Sequence, residues 1–428
     1  MAEARLMRIG LEPEVQQIFD CIDNKRNFLL SGGAGSGKTY SLVQVIRQAI
    51  AENPSEKIAC MTYTNAAVKE IEERVNHGNL KVTTIHDFLW DNIKHFQKEL
   101  SSILVTLAND TTVSKISIDN LSPVPDSYFD TFEDGIQYKE FVRVREGIIS
   151  HDELLIVANA LFEKYPRLSD IVKDKYKFIF IDEYQDTSEL VVKIFLEHFK
   201  KTAKQNIIGF FGDAMQSIYE DTIGNLDGYK GDEVDKVKEI KKEQNRRNPQ
   251  QVITLANRIR TDGITQVPSA DLQAPNMLNG SVKQGQVTFL HSTDQDVTKV
   301  KAHLTANGWD FTNAKKTKEL NLTHNLIADK VGFRNLMNIY DKDPVISLKN
   351  DIVRRIKENR ERSRLEIEIT EGDTFDSVVD KFQLRSGTRN GPLKKDVLLQ
   401  DANSAALYNQ LKDKPFGEVR KISIVREK

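Results

Sequence analysis

The stretch SGGAGSGKTY (residues 31–40) meets the spacing GxxxxGK[ST] through Gly32, Gly37, Lys38 and Thr39. It follows a short apolar run, NFLL (27–30), and precedes SLVQVIRQAI (41–50), whose apolar residues recur at helical spacing. Strand, glycine loop and helix in that order form a phosphate cradle. Glycines let backbone N–H groups turn inward around phosphate oxygens, and the helix start adds the positive end of its dipole. Gly33, Ala34, Gly35, Ser36 and Gly37 line the cradle. Lys38 is placed to neutralise the outer phosphates and the Thr39 hydroxyl to meet Mg²⁺. The plain alternative is a glycine turn without a ligand, and the Lys-Thr pair argues against it.

Beyond the loop, strand-like and helix-like runs alternate. KIACMTYT (57–64), KVTTIH (81–86), KFIFID (177–182) and NIIGFFGD (206–213) read as further strands, with helices such as NAAVKEIEERV (65–75) between them. Near-continuous apolar strands separated by helices predict an α/β fold with a parallel sheet covered on both faces. Residues 90–150 break the rhythm and read as an insertion. A new section begins near 263, in which GQVTFLH (285–291) and ELNLTH (319–324) are expected as strands of a second sheet. DIVRRIKENRERSRLEIEI (351–369) is expected as a charged helix, and its basic run RRIKENRER as a solvated face.

The 428 residues suggest two to four domains at roughly one per 150 residues. A net charge of −2 rules out a global basic field, so a nucleic-acid surface has to be local. Two cysteines, Cys21 and Cys60, argue against a disulfide framework or a zinc site and for a reducing compartment. The opening MAEARLMRIG has no apolar core of a leader, and no window approaches ~18 uninterrupted apolar residues. The expectation is a cytoplasmic protein without membrane contact.

FIFIDEYQDTS (178–188) carries Asp182 and Glu183 to the polar end of a strand. Asp182 suits a Mg²⁺ that keeps its waters, and Glu183 is placed to deprotonate an attacking water. Alone, an Asp-Glu pair after a strand is a solvated turn; with the cradle it points to hydrolysis.

At Asp-Glu-Tyr-Gln-Asp the chain resembles motif II of the UvrD/Rep/PcrA group of superfamily 1A DNA helicases. Other blocks follow in that family's order. LEPEVQQI (11–18) resembles the upstream Q motif, TYTNAAVKEIEERV (62–75) motif Ia, and TTIHDF (83–88) the next DNA-contacting block. GDAMQSIY (212–219) resembles motif III, QNRRNPQQVITLAN (244–257) motif IV, and LTHNLIADKVGF (322–333) the start of a second motor domain. The resemblance spans about residues 11–333.

The resemblance implies a P-loop NTPase (RecA-like) parallel-sheet motor domain over 1–89 and 151–262, with a helical insertion at 90–150. It implies a partial second RecA-like domain over 263–345 and 412–428, with an accessory insertion at 346–411. ATP and Mg²⁺ are the implied ligands, and single-stranded or duplex-junction DNA the implied substrate. Gln16 or Gln17 would read adenine. Lys38, Glu183, Gln216 and Arg247 would act on the terminal phosphate, with Gln185 relaying to motif III. Thr39 and Asp182 would hold the metal. Tyr63, Thr64, Asn65, Thr84 and His86 would follow the DNA strand; a core ring at Tyr63 and a helix-capping role at His86 are the bland alternatives.

Four departures stand out. The family commonly has Arg after the Lys-Thr pair and Asn-Tyr-Arg-Ser in motif IV; this chain has Tyr40 and Asn245-Arg246-Arg247-Asn248. The exchange predicts Tyr40 and Arg246 facing each other across the adenine, since a phenol ring and a guanidinium plane can each stack on a base. Motif Ia has Ala66 where Lys is usual, and no Trp follows Tyr219, so one stacking platform is missing. Motifs V and VI are not found, which leads to the expectation of a fragment that binds ATP, hydrolyses it poorly and does not unwind DNA. Translocation of the parent, 3′→5′ as the resemblance implies, competes with a nucleotide-gated DNA-sensing ATPase that regulates a partner nuclease, as in Gabija-type phage defence, or a repair protein. A P-loop kinase would have no use for Asp-Glu-Tyr-Gln-Asp or for Arg247.

Overall fold

The computed structural model describes residues 8, 10–110, 113, 115–118, 121, 123–218, 222–291, 293, 297–320, 328, 332, 334, 343–361, 369–370, 372–386 and 391–421. These form two compact units, Met1–Phe289 and Leu290–Lys428. The first begins with α1 (Pro13–Asp23), β1 (Phe28–Gly32), α2 (Lys38–Glu52), β2 (Ile58–Thr62), α3 (Asn65–Val75) and β3 (Leu80–Thr84). It continues with α4 (Ile85–Ile93), α5 (Gln97–Asn109), β4 (Gln137–Tyr138), β5 (Ile148–Ile149), α6 (His151–Lys164), α7 (Arg167–Lys175) and β6 (Phe178–Asp182). After α8 (Glu189–Lys193) come β7 (Ile207–Gly212), β8 (Lys238–Lys242), β9 (Gln244–Asn245), α9 (Gln250–Ile259) and β10 (Val267–Pro268).

Six strands form one sheet in the order β3-β2-β6-β7-β1-β8, with every neighbouring pair parallel. β1, β2, β6 and β7 are buried from end to end, which is why they read as apolar runs. Alternate side chains divide between two cores. Phe28, Leu30, Cys60, Phe180 and Phe211 face one side, packing against Val45 and Ile46 of α2. Leu29, Met61, Ile179, Ile181 and Phe210 face the other, joined by Phe88, Leu104 and Leu161. Apolar residues of the 90–150 stretch, among them Leu100, Ile116 and Ile136, belong to this second core. Cys21 and Cys60 are buried and free.

Five strands lie where the apolar runs predict them. The sixth, KEIKK (238–242), is an edge strand with only Ile240 and Lys242 buried, and its charges conceal it. GQVTFLH is a correction: residues 285–291 form no strand. Phe289 is 87% exposed there. β propensity is expressed only against a partner strand, and that run has none among the described residues.

In the second unit, α10 (Val297–Ala306) is followed by α11 (Pro344–Glu361), α12 (Phe375–Phe382), α13 (Lys394–Leu398), α14 (Ala402–Leu411) and α15 (Phe416–Lys421). From α11 onward they enclose a core of Val345, Leu348, Ile352, Phe375, Val378, Tyr408 and Phe416. The charged helix expected at 351–369 begins earlier, at Pro344, and residues 362–368 lie outside the described set. Of ELNLTH, Glu319 and Leu320 carry no strand and the rest lies outside; of LTHNLIADKVGF, only Ala328 and Gly332 are described. The run after Lys421 and Tyr219 of motif III also lie outside. No helix among the described residues is long and apolar enough to cross a membrane.

Candidate nucleotide site and nucleic-acid edge

The glycine loop leaves the carboxyl end of β1, an inner strand between β7 and the edge strand β8, and runs into α2. Gly37 caps that helix at φ 88°, a left-handed conformation that favours glycine. Gly35 has φ 88° as well, and a Cβ there would lie 2.9 Å from both the Arg247 Cβ and the Asn245 Oδ1. The loop therefore needs glycine both for its turn and for close packing against 245–247. Lys38 is buried and its Nζ donates to the Gly32 carbonyl at 2.9 Å, holding the ammonium inside the loop. Ser36 Oγ is buried without a partner among the described residues. Thr39 is half-buried beside it.

The acid pair sits at the tip of β6. Asp182 is almost fully buried, and its Oδ1 has no partner among the described residues. Burial, then the neighbouring Glu183 charge, push its carboxyl up to about 7, against the pull of Lys38. An orphaned carboxylate oxygen beside a phosphate cradle fits a cation ligand. Glu183 is half-buried and adopts φ 49°, an unusual conformation for a residue with a side chain. Its Oε2 accepts from Gln185 Nε2 at 2.8 Å.

From there a relay crosses to β7. Gln185 Oε1 accepts from the Asp213 backbone N–H at 3.0 Å, and Asp213 Oδ2 accepts from Gln216 Nε2 at 2.7 Å. Arg260, at the end of α9, donates to both Asp213 oxygens at 2.7 and 2.9 Å. Burial alone would raise the Asp213 carboxyl, but the hydrogen bonds from Arg260 and Gln216 and the Arg260 charge hold it below the usual range.

The motif IV segment closes over the loop. Asn245 Nδ2 and Asn248 Nδ2 each donate to the Ala34 carbonyl at 2.9 Å, and the Arg246 N–H donates to the Gly35 carbonyl at 2.9 Å. Arg247 is exposed, and its guanidinium makes no ion pair or hydrogen bond among the described residues. Tyr40 and Arg246 flank one point: a Cβ on Gly37 would lie 4.0 Å from the Tyr40 Cβ and 3.9 Å from the Arg246 Cδ. Tyr40 is 50% exposed. Arg246 also pairs with Asp271. Gln16 and Gln17 are exposed on α1, Gln16 Nε2 donating to the Leu11 carbonyl at 3.0 Å.

The neighbouring strand ends carry the other set. Thr62 and Thr84 are register partners, so Tyr63 and Ile85 leave adjacent strands side by side. Tyr63 is 46% exposed and no core ring. Thr64 and Thr84 cap α3 and α4, accepting from the backbone N–H of Ala67 and Asp87. Asn65 opens α3 and is exposed. His86 lies in the first turn of α4, its ring 4.7 Å from that of His151.

Several residues around the loop escaped sequence reasoning. The wholly buried Lys242 Nζ donates to Glu12 Oε2 at 2.6 Å, while Ser41 and Gln244 bind the same carboxylate. Gln266 sits over Gly33, where any Cβ would strike its amide at 2.4 Å. Lys242 in a charged edge strand has no sequence signal; a Glu preceding a helix-start proline is a weak one.

Residues 16–222 match the family described as an AAA domain. The chain is 28% identical to the Gabija protein GajB of Bacillus cereus, over 77% of this chain and 59% of that protein. It is 27% identical to a probable DNA helicase II homolog of Rickettsia felis, over 58% of this chain and 44% of that one. To the ATP-dependent DNA helicase PcrA of Bacillus subtilis it is 26% identical, over 58% and 39%. The chain thus spans between 39 and 59% of the length of these relatives. With a phosphate loop, an acid pair at a strand tip and a glutamine relay in one parallel sheet, and with relatives of these names, the chain is similar to the UvrD-like group of superfamily 1 helicases.

Proposed function

We propose that the chain is the ATP-hydrolysing part of a DNA helicase or translocase that moves on single-stranded DNA, 3′→5′ as the family resemblance implies. The observation that carries this is the bonded series Glu183–Gln185–Asp213–Gln216, which ties the strand tip beside the phosphate loop to motif III. Glu183 takes the proton of the attacking water. Lys38, Arg247 and Gln216 meet the charge that develops on the terminal phosphate. Thr39 and Asp182 would hold Mg²⁺, which screens the phosphate charges when bound. Tyr40 and Arg246 sandwich the base, with Gln16 or Gln17 at its edge. Tyr63, Thr64, Asn65, Thr84 and His86 contact the strand. The domain division given above, with a partial second motor domain after 263, belongs to the same reading.

A second reading is a nucleotide-gated DNA-sensing ATPase that regulates a partner nuclease. It is favoured by the likeness to the Gabija protein, which extends over more of this chain than the likeness to the helicase II homolog does. Phosphate release measured with and without a single-stranded oligonucleotide, beside a strand-displacement assay on the full-length protein, separates the two. Stimulated turnover with unwinding supports the motor; stimulated turnover without unwinding supports the sensor. No nucleotide binding at all removes both.

A further inference from the structure

The phosphate loop lies at the carboxyl ends of the strands. At their amino ends, the segments that lead into β1, β7 and β8 enclose a cavity of about 530 Å³, a size that takes a small molecule. Asn27 ties two of these segments, its Oδ1 accepting from the Ile208 N–H at 2.9 Å. β1 is five residues long, which at roughly 3.3 Å per residue sets the cavity about 16 Å from the glycine loop. Phe195 and Phe199 of the core give it an apolar wall. Five lysines line it, Lys25, Lys173, Lys200, Lys204 and Lys236, and among the described lining residues the only carboxylate is that of Asp235. In a chain of net charge −2 this is a local concentration of cations.

Two buried groups in the cavity call for an anion. Lys173 is 7% exposed, and its Nζ donates to the Phe199 carbonyl at 2.6 Å, the Lys204 carbonyl at 2.7 Å and the Thr202 Oγ1 at 2.8 Å. All three acceptors are neutral, so its hydrogens are satisfied and its charge is not. Burial holds the Lys173 ammonium below its ordinary 10.5, and Asp170 offsets only part of that. The second group is the Asn206 Nδ2, just before β7, which is buried without an acceptor among the described residues. A buried amide donor left unpaired is costly, and an oxygen of a bound ligand would relieve it.

The remaining lysines are partly compensated. Lys204 pairs with Asp174, and Lys200 Nζ lies 3.8 Å from Asp235. Lys25 and Lys236 make no ion pair among the described residues. Five ammonium groups against the carboxylates of Asp235 and Asp174 leave three positive charges over. A phosphoryl group brings about −1.5 to −2 charges and oxygens that accept from several directions, whereas a carboxylate brings one charge in a plane. We propose that this cavity is a second anion site, separate from the glycine loop, which takes a small ligand bearing a diphosphate. Asn206 Nδ2 donates to a phosphate oxygen. Lys25, Lys200 and Lys236 close around the group as point charges. Lys173, with its hydrogens spent, adds its field from behind.

The test titrates the 428-residue chain with pyrophosphate in the absence of Mg²⁺, read by calorimetry. The chain carries Lys38→Ala, so that the glycine loop is silenced. One site is expected, with an affinity that falls as salt is added. Asn206→Asp, which sets a carboxylate against the anion, and Lys25→Glu, at an exposed position, each weaken it on the order of tenfold. Lys69→Ala on α3 leaves it unchanged. With Lys38 restored, Asn206→Asp and Lys25→Glu do not alter ATP affinity. Absence of binding refutes the site, as does binding that Asn206→Asp and Lys25→Glu leave intact or that Lys69→Ala weakens equally. A hexaglutamate peptide that binds as tightly as pyrophosphate refutes the phosphate ligand and marks the cavity as a contact for an acidic protein. None of these results bears on the reading of the glycine loop.

Discussion

Replacing Arg260 by methionine tests the relay at its most buried point. The guanidinium is 7% exposed and the Asp213 carboxylate 1% exposed, and they share two hydrogen bonds. Removing one member of such a pair leaves an uncompensated buried charge, a loss of about 3–5 kcal/mol. Asp213 keeps bonds from Gln216 Nε2 and the Met215 N–H, which places the expected loss at the low end, ~3 kcal/mol. At about 2–4 °C per kcal/mol for a unit of this size, the thermal midpoint falls by roughly 6–12 °C. The sign with pH follows from Asp213 lying below its ordinary value of 3.8. A depressed carboxyl stabilises the fold above its unfolded value and loses that contribution as pH falls through the folded one. The deficit of Arg260→Met is therefore full near neutrality and shrinks as pH drops below about 4. The assay is urea unfolding followed by circular dichroism at several pH values, with the double variant carrying Asp213→Asn as the control that recovers most of the loss. A deficit under about 1 kcal/mol at pH 7, or one that grows on acidification, refutes the argument.

Tyr40→Ala raises the ATP KM on the order of tenfold with kcat nearly unchanged, as the loss of one stacked ring predicts; unchanged affinity, beside a Lys38→Ala variant that binds none, removes the base sandwich. Glu183→Gln lowers phosphate release by roughly 10²–10⁴ while calorimetry still records nucleotide binding; near-normal release assigns the water to another base. Lys242→Met keeps the apolar stem but strands the Glu12 carboxylate. Burial alone would raise Glu12, and the Lys242 bond and charge instead hold it below its ordinary 4.5. The unmodified protein then loses this contribution as pH falls below about 4.5, and the variant's denaturation midpoint is lower above that pH and converges on it below; a uniform deficit at all pH values counts against the pair.

The phosphate loop, the acid pair and four of the inner strands were legible because each is written in contiguous residues. A buried parallel strand is an apolar run, and a phosphate loop is a glycine spacing. The charged edge strand KEIKK was not legible, since half of it faces water. The run at 285–291 misled because propensity for a strand says nothing of whether a partner lies alongside. The lysine-lined cavity stayed hidden for a similar reason: Lys25, Lys173 and Lys236 are unremarkable residues in three separate segments.

From the chain's order of residues alone came the candidate site pieces and the family whose motif series they resemble. Which pieces touch was a matter of folding. Asn245 reaches Ala34 across 211 positions and Lys242 reaches Glu12 across 230. Those meetings exist because β8 docks beside β1 at the sheet edge. Strand order is a property of the whole packed sheet, set by how two cores fill on its opposite faces, and short-range spacing carries no record of it.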